Sequence, residues 1–176
     1  MKHIVLIGFK HVGKTSIGEK LAEQLEKPFI DLDKEVEIEH TKRNSEKLSV
    51  RQIVMKNGLN YFRQLENQVL KKVLNTTQQS IISLGGGTPI DPGNREIISS
   101  HLVVNIVADK SNIYERIMVN GRPAFFPDDE DPYLAFQRIW SERSKIYDDI
   151  AQITVNNNDS LEKPVRELVK ILDIKL

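Results

Sequence analysis

Cysteine is absent from the 176-residue chain. That excludes disulfides, thiolate metal sites and a cysteine nucleophile at once. Net charge is absent as well: Lys plus Arg and Asp plus Glu both number 25, leaving no cationic surplus to grip nucleic acid or an anionic membrane. Long apolar runs are missing. The first, Ile4 to Ile7, is too short for a membrane span and lacks the n-region and cleavage site of a signal peptide. There is no internal repeat, and no Asn-Lys-x-Asp segment of the kind that reads guanine, which sets a regulatory GTPase aside. The length suits one compact domain with a real core and room for a small insert.

What the chain does have is Gly8-Phe-Lys-His-Val-Gly-Lys-Thr15, directly after Ile4-Val-Leu-Ile7. This fits G-x-x-x-x-G-K-[ST], a loop whose backbone amides cradle phosphate. Gly8 and Gly13 permit backbone conformations that let successive N–H groups turn toward one anion. Lys14 supplies a point charge for the outer phosphates, and the Thr15 hydroxyl a ligand for Mg²⁺. Lys10, His11, Val12 and Ser16 complete the expected nucleotide-binding stretch. Ile17, Leu21, Ala22 and Leu25 recur at helical spacing, so a helix from Lys14 to about Glu26 offers its N-terminus to the anion. It ends before Pro28. A buried strand at Phe29-Ile30 follows, making strand, helix and strand a βαβ unit.

Further strands are expected at Ser80–Leu84, Leu102–Val107 and Ile153–Val155. Helices are expected from Gly58 onward through Leu65, Val69, Leu70, Val73 and Leu74, near Gly93–Ser100, over Ile113–Val119, through Phe136, Ile139, Trp140 and Ile146, and through Leu161–Leu172. Between Lys34 and about Asn60 the polar pattern reads as short helices joined by a solvated loop, with the Glu35, Glu37, Glu39 charge run as a solvated face. Asn120 to Pro132, with three prolines and an acidic run, reads as a surface loop. Together these predict a three-layer α/β/α architecture around a five-stranded parallel sheet.

Phosphoryl transfer needs positioning and electrostatics more than covalent chemistry. Asp31 and Asp33 lie two apart beyond a strand and leave it on the same side if extension persists. One then holds Mg²⁺ through water while the other accepts a proton from an acceptor hydroxyl. An acidic turn with Asp33 as helix N-cap is the plain structural alternative. Arg63 and Arg143 offer planar forks suited to a carboxylate, or else sit in structural ion pairs such as Arg63 with Glu66. Gly85-Gly86-Gly87 after a core strand provides either a tight turn or bare amides for a ligand. Arg122, before Pro123, could swing onto a transferring phosphate as its loop closes.

In order and spacing these pieces resemble the shikimate kinase family over essentially the whole chain: Ile-Val-Leu-Ile-Gly-Phe…Gly-Lys-Thr at 4–15, Phe-Ile-Asp-Leu-Asp at 29–33, Phe-Arg-Gln-Leu-Glu at 62–66, Leu-Gly-Gly-Gly-Thr-Pro at 84–89, Arg-Pro at 122–123 and Glu-Arg-Ser-Lys-Ile-Tyr at 142–147. The resemblance implies a nucleoside-monophosphate-kinase-like fold with core 1–32, 62–110 and 133–176, a substrate-binding insert at about 33–61 and a lid at about 111–132. It implies ATP-dependent, Mg²⁺-assisted phosphorylation of the shikimate 3-hydroxyl in chorismate and aromatic amino acid biosynthesis, by a cytoplasmic monomer with no nucleic-acid or membrane partner. A related kinase of another small hydroxy acid such as gluconate, or a degenerate nucleotide-binding homologue, are the alternatives. Carried over by position, Lys14, Asp33 and Arg122 are catalytic, and Thr15 and Asp31 serve the metal. Asp33, Arg63, Arg143, Gly86 and Gly87 bind substrate, and Arg116 lies along the adenine. Three features depart from the family pattern: Lys10 and His11 where a small or apolar residue and then glycine are usual, a longer interval between Asp33 and Arg63, and Leu59 in place of a glutamate.

Overall fold

A computed structural model describes residues 2–119, 126–127 and 129–175. Its strands are β1 (Ile4–Ile7), β2 (Phe29–Asp31), β3 (Ile81–Ser83), β4 (Leu102–Val107) and β5 (Ile153–Asn156). Between them lie α1 (Lys14–Gln24), α2 (Leu32–Asn44), α3 (Val50–Asn57), α4 (Leu59–Leu74), α5 (Pro92–Ile98), α6 (Lys110–Val119), α7 (Pro132–Ile150) and α8 (Glu162–Lys175), with a 3-10 turn at Thr88–Ile90. The sheet order is β2-β3-β1-β4-β5, and all four pairings are parallel. Among the described residues, the five strands and helical layers match the predicted α/β class.

Each strand's composition follows from its place. β1 is central and its four residues are at most 1% exposed, so it reads as an unbroken aliphatic run. β5 is an edge and alternates buried with exposed. β2 is the opposite edge: Phe29, Ile30 and Asp31 are all half-buried, where the sequence reading had a short buried strand at Phe29-Ile30. Alternation could not have revealed this, because three residues are too few to display a period.

The stretch after β2 also differs from expectation. Extension ends at Asp31, whose side chain accepts from the Asp33 and Lys34 amides and caps α2. Asp31 is therefore the N-cap, and Asp33 is already helical. The two carboxylates leave different elements rather than one extended face. α2 runs unbroken for 13 residues, longer than the short helices expected, and ends at Ser45 with φ 54°. Its charge run is only partly solvated: Glu39 pairs with Arg43 at 2.8 Å, and Glu37 Oε1 accepts from the Val50 amide at 2.8 Å. Leu32, Val36 and His40, four apart, form its buried stripe. α3 opens with a Ser49–Gln52 capping box, and Gly58 ends α3 and begins α4. Among the described residues no helix is long and apolar enough to cross a membrane.

The strand order is what assembles a site. With β3 seated between β2 and β1, the segments leaving the carboxyl ends of β1, β3 and β2 become neighbours. Ligands bind at that edge of an open α/β sheet, where successive crossovers diverge.

Candidate active site

Gly8 leaves β1 at φ +136°, and a Cβ there would lie 2.3 Å from the Ile106 carbonyl oxygen of β4. Only glycine meets both demands. His11 and Gly13 continue with φ of 63° and 99°, turning the loop back toward α1. Lys14 begins α1, is 8% exposed, and its Nζ donates to the Gly8 and Phe9 carbonyls at 3.0 and 2.9 Å. Its ammonium thus spans the mouth of its own loop. Burial pulls its pKa down to about 8, while the Asp33 and Asp31 carboxylates oppose that shift, so it stays cationic at neutral pH. The loop is buttressed from the far side by Asn157, which follows β5 and whose Nδ2 donates to the Val12 carbonyl at 2.8 Å. Sequence reasoning missed Asn157; its signal was the polar Asn156-Asn157-Asn158 run at a strand's carboxyl end.

Thr15 Oγ1 donates to Asp31 Oδ2 at 3.0 Å, while the other Asp31 oxygen caps α2 at 3.0 Å from the Asp33 amide. A hydroxyl and a carboxylate oxygen therefore share one spot beside the phosphate loop. That hard-oxygen pair suits Mg²⁺, which takes few protein ligands and completes its shell with water and phosphate. A cluster of three or more acidic or histidine ligands is absent among the described residues, and such a cluster is not what phosphate-bound Mg²⁺ requires.

Asp33, one residue into α2, packs its carboxylate against the glycine run: a Cβ on Gly85 would lie 2.8 Å from Asp33 Oδ1. Its pKa is pushed up to about 6 by burial first, then by the Asp31 and Glu66 charges, with Lys14 pulling the other way. A carboxylate poised there is ionised at neutral pH yet basic enough to receive a proton.

The arginines come from different helices, Arg63 from α4 and Arg143 from α7. Arg63 Nη1 contacts Glu66 Oε2 at 2.6 Å, so the expected structural ion pair does form. Glu66 is 1% exposed and also accepts from the Thr88 hydroxyl at 2.7 Å, making it an anchored counter-charge. The pairing leaves the other guanidinium nitrogen facing the glycine run: a Cβ on Gly87 would lie 2.1 Å from Arg63 Nη2. Arg143, on α7, lies over the Phe9 ring at 5.7 Å. Burial lowers its pKa, with Tyr147 raising it and Arg63 lowering it further. The two guanidinium groups are therefore near enough to feel one another. Arg143 hydrogen-bonds Tyr147, and the Tyr147 hydroxyl donates in turn to the Gly86 carbonyl. Burial pushes that phenol up to about 12, keeping it a neutral donor. Phe9 also meets Phe136 and Trp140 at 5.6 and 5.0 Å. Such aromatic pairs contribute about 0.5–1.5 kcal/mol each and clamp the phosphate loop to α7.

The three glycines thus each admit a different neighbour. Gly85 admits Asp33, Gly87 admits Arg63, and Gly86 packs on the phosphate loop, with a Cβ falling 3.3 Å from the Lys10 amide nitrogen. The sequence reading offered a tight turn or ligand-facing amides; close approach of the protein's own site groups is a third reason. Arg116 reaches the loop as well, its Nη1 donating to the His11 carbonyl at 3.4 Å. Lys10 and Ser16 are exposed on the loop and first helical turn. Arg122 lies outside the described residues. Thr88 and Tyr147 are the site groups whose roles a linear reading did not supply.

Comparison with known proteins adds an independent observation. The family model described as Shikimate kinase matches residues 10–173. The shikimate kinase of Macrococcus caseolyticus is 34% identical over 167 residues, covering 93% of this chain and 92% of that protein. The bifunctional shikimate kinase/3-dehydroquinate synthase of Thermotoga maritima is 29% identical over 172 residues, which is 98% of this chain and 33% of that protein. Among solved structures, the shikimate kinase from Acinetobacter baumannii in complex with shikimate shares the fold with a TM-score of 0.87, at 24% identity over 100% of this chain and 96% of that one.

Proposed function

The chain belongs to the shikimate kinase family, and from that premise we propose that it transfers the terminal phosphoryl group of ATP to the 3-hydroxyl of shikimate. The observation that carries the reading is the convergence of Lys14, Asp33 and two arginines around one cleft, with Asp33 held against Gly85 and Arg63 against Gly87. A phosphate cradle, a proton acceptor and a carboxylate clamp are the parts such a transfer needs.

Arg63, aligned by Glu66, and Arg143, aligned by Tyr147, hold the acceptor's carboxylate. Asp33 orients the ring hydroxyl and accepts its proton as the oxygen attacks the terminal phosphorus. The bond from that phosphorus to the bridging oxygen breaks, and ADP leaves. Lys14 and the loop amides bind the phosphates and stabilise the charge that shifts onto the leaving group. The Thr15 hydroxyl and Asp31 would hold Mg²⁺, which when bound would further neutralise phosphate charge. Arg122 serves as the lid arginine on the transferring group, and Arg116 with the loop residues from Gly8 to Ser16 completes the nucleotide site. The same reading assigns residues of about 33–61 to acceptor binding and about 111–132 to the lid, in a monomer working in the cytoplasm.

Coupled ADP-release assays against shikimate, quinate and gluconate at saturating Mg-ATP test this directly. Turnover with shikimate, and at least tenfold lower kcat/KM for the other two, is expected. Turnover with gluconate and none with shikimate would overturn the reading. Arg122→Ala should lower kcat by about 10²–10³-fold while shikimate affinity changes little, as for loss of a charge that acts on the transferring group. A change confined to the shikimate KM would place Arg122 elsewhere.

A further inference from the structure

His11 occupies the middle of the phosphate loop, with Lys10 before it and Lys14 three residues on. Its φ of 63° is left-handed, a conformation glycine adopts freely and histidine tolerates better than most residues. A glycine would satisfy the backbone more easily, so the side chain is carried at some conformational expense in the segment that receives an anion. The side chain is half-buried, and its own carbonyl is held by Arg116 from α6. The charged groups acting on it come from both packed elements, Lys10 and Lys14 on its own loop and Arg116 on α6, and all are cationic. Together with burial, the larger cause, they hold the imidazole below its ordinary range, so without nucleotide it is neutral near pH 7.

The arrival of a di- or triphosphate reverses that field. Several negative charges enter a loop where an uncharged imidazole stands among three cations, and an opposite charge within a few ångströms favours the protonated form. We propose that His11 takes up a proton from solvent when nucleotide binds and donates it as a hydrogen bond to a phosphate oxygen, so that nucleotide affinity in this protein is proton-linked. The inference rests on the kinase reading and adds a regulatory property to its nucleotide site. No covalent bond changes: one solvent proton adds to a ring nitrogen, and it returns to solvent when product ADP departs. Turnover is then governed by pH at the release step as well as at binding.

Calorimetric titration with ADP in excess Mg²⁺, in two buffers of different ionisation enthalpy at pH 7.5, measures the protons absorbed. Lys14 and Asp33 also titrate near neutrality, so the quantity to read is the difference between wild type and His11→Asn, a variant that tolerates the left-handed backbone but cannot protonate. Wild type should absorb a larger fraction of a proton than the variant. Its affinity should also fall severalfold more steeply from pH 6.5 to 8.5. A second measurement needs no variant: the chain has four histidines, and the His11 ring resonance should titrate at higher pH with Mg-ADP than without. Equal proton uptake in both proteins, or a His11 titration unmoved by Mg-ADP, overturns the proposal while leaving the kinase reading intact. Absence of any binding isotherm in either protein overturns the kinase reading and the proposal together.

Discussion

Replacing Asp33 by Asn is expected to lower kcat with shikimate by about 10²–10⁴-fold, the range contributed by a positioned general base. Asn retains the volume that packs against Gly85 but cannot receive a proton. The pH profile gives the sharper signature. In the proposed reaction Asp33 acts ionised, with its pKa pushed up to about 6, and Lys14 acts protonated, with its pKa pulled down to about 8. kcat/KM should therefore rise through about pH 6 and fall through about pH 8, and the rising limb should vanish in Asp33→Asn. Stability should move the opposite way. The folded-state pKa lies above the ordinary 3.8, so between those values the native chain keeps a proton that the unfolded chain releases. Native stability falls as pH rises from about 4 to 6, and the loss persists above that. Asn escapes it, and the variant should gain on the order of 1–2 kcal/mol above pH 6 and nothing at pH 4, after allowing for the group's partial contact with solvent. Thermal melts at pH 4.5 and 8 check this. A variant destabilised equally at both would show that Asp33 is structural.

Gly87→Ala should raise the shikimate KM by about 10–10²-fold, the scale of loss when a substrate-positioning group is displaced by an ångström or so. Gly87 has φ −92° and ψ −11°, a backbone alanine accepts, so strain does not oppose the change. The methyl's obstacle is the Arg63 guanidinium, 2.1 Å from Nη2 and 2.9 Å from Cζ, which must yield. Glu66 tethers the same group at 2.6 Å, so Arg63 shifts its free edge and leaves the geometry proposed to meet the acceptor's carboxylate. The ATP KM should stay within about twofold. Arg63→Ala is a less clean test, because it leaves the buried Glu66 with Thr88 alone and costs about 1–3 kcal/mol of stability. Its effect on shikimate affinity should nevertheless exceed that of Gly87→Ala. Equal rises in both KM values for Gly87→Ala, or an unchanged shikimate KM, would show that Arg63 does not face the acceptor.

Contiguity governs which parts of the site were legible in the chain. Gly8 to Thr15 could be read directly because strand, loop and helix N-terminus are one uninterrupted segment whose chemistry is local. The aliphatic runs of β1 and β4 were legible because both strands are buried on two faces. Asp31 and Asp33 were legible as acids but not in the direction each leaves the chain. Their separation depends on whether extension or helix wins at Leu32, and the N-cap bonds from Asp31 to the Asp33 and Lys34 amides favour helix. Arg63 with Glu66 was visible at helical spacing, since three residues bring the side chains together. Its third partner, Thr88, lies 22 residues farther on, beyond any periodic signal. Tyr147, four residues beyond Arg143, could likewise be paired with it on one helix face, but its hold on Gly86 spans 61 residues.

The sequence by itself determined a phosphate-binding loop, its lysine and threonine, an α/β architecture, and the absence of thiol chemistry. Each of these depends on residues adjacent in the chain or on composition. The tertiary structure decided what those residues face. The order β2-β3-β1 sets Asp33, the glycine run and the phosphate loop side by side. The packing of α7 against β4 and the phosphate loop then brings Arg143 and Tyr147 to the same cleft from the far end of the chain. Strand order follows from which crossover covers which face of the sheet, a choice made by the summed burial of all the helices and written in no single segment.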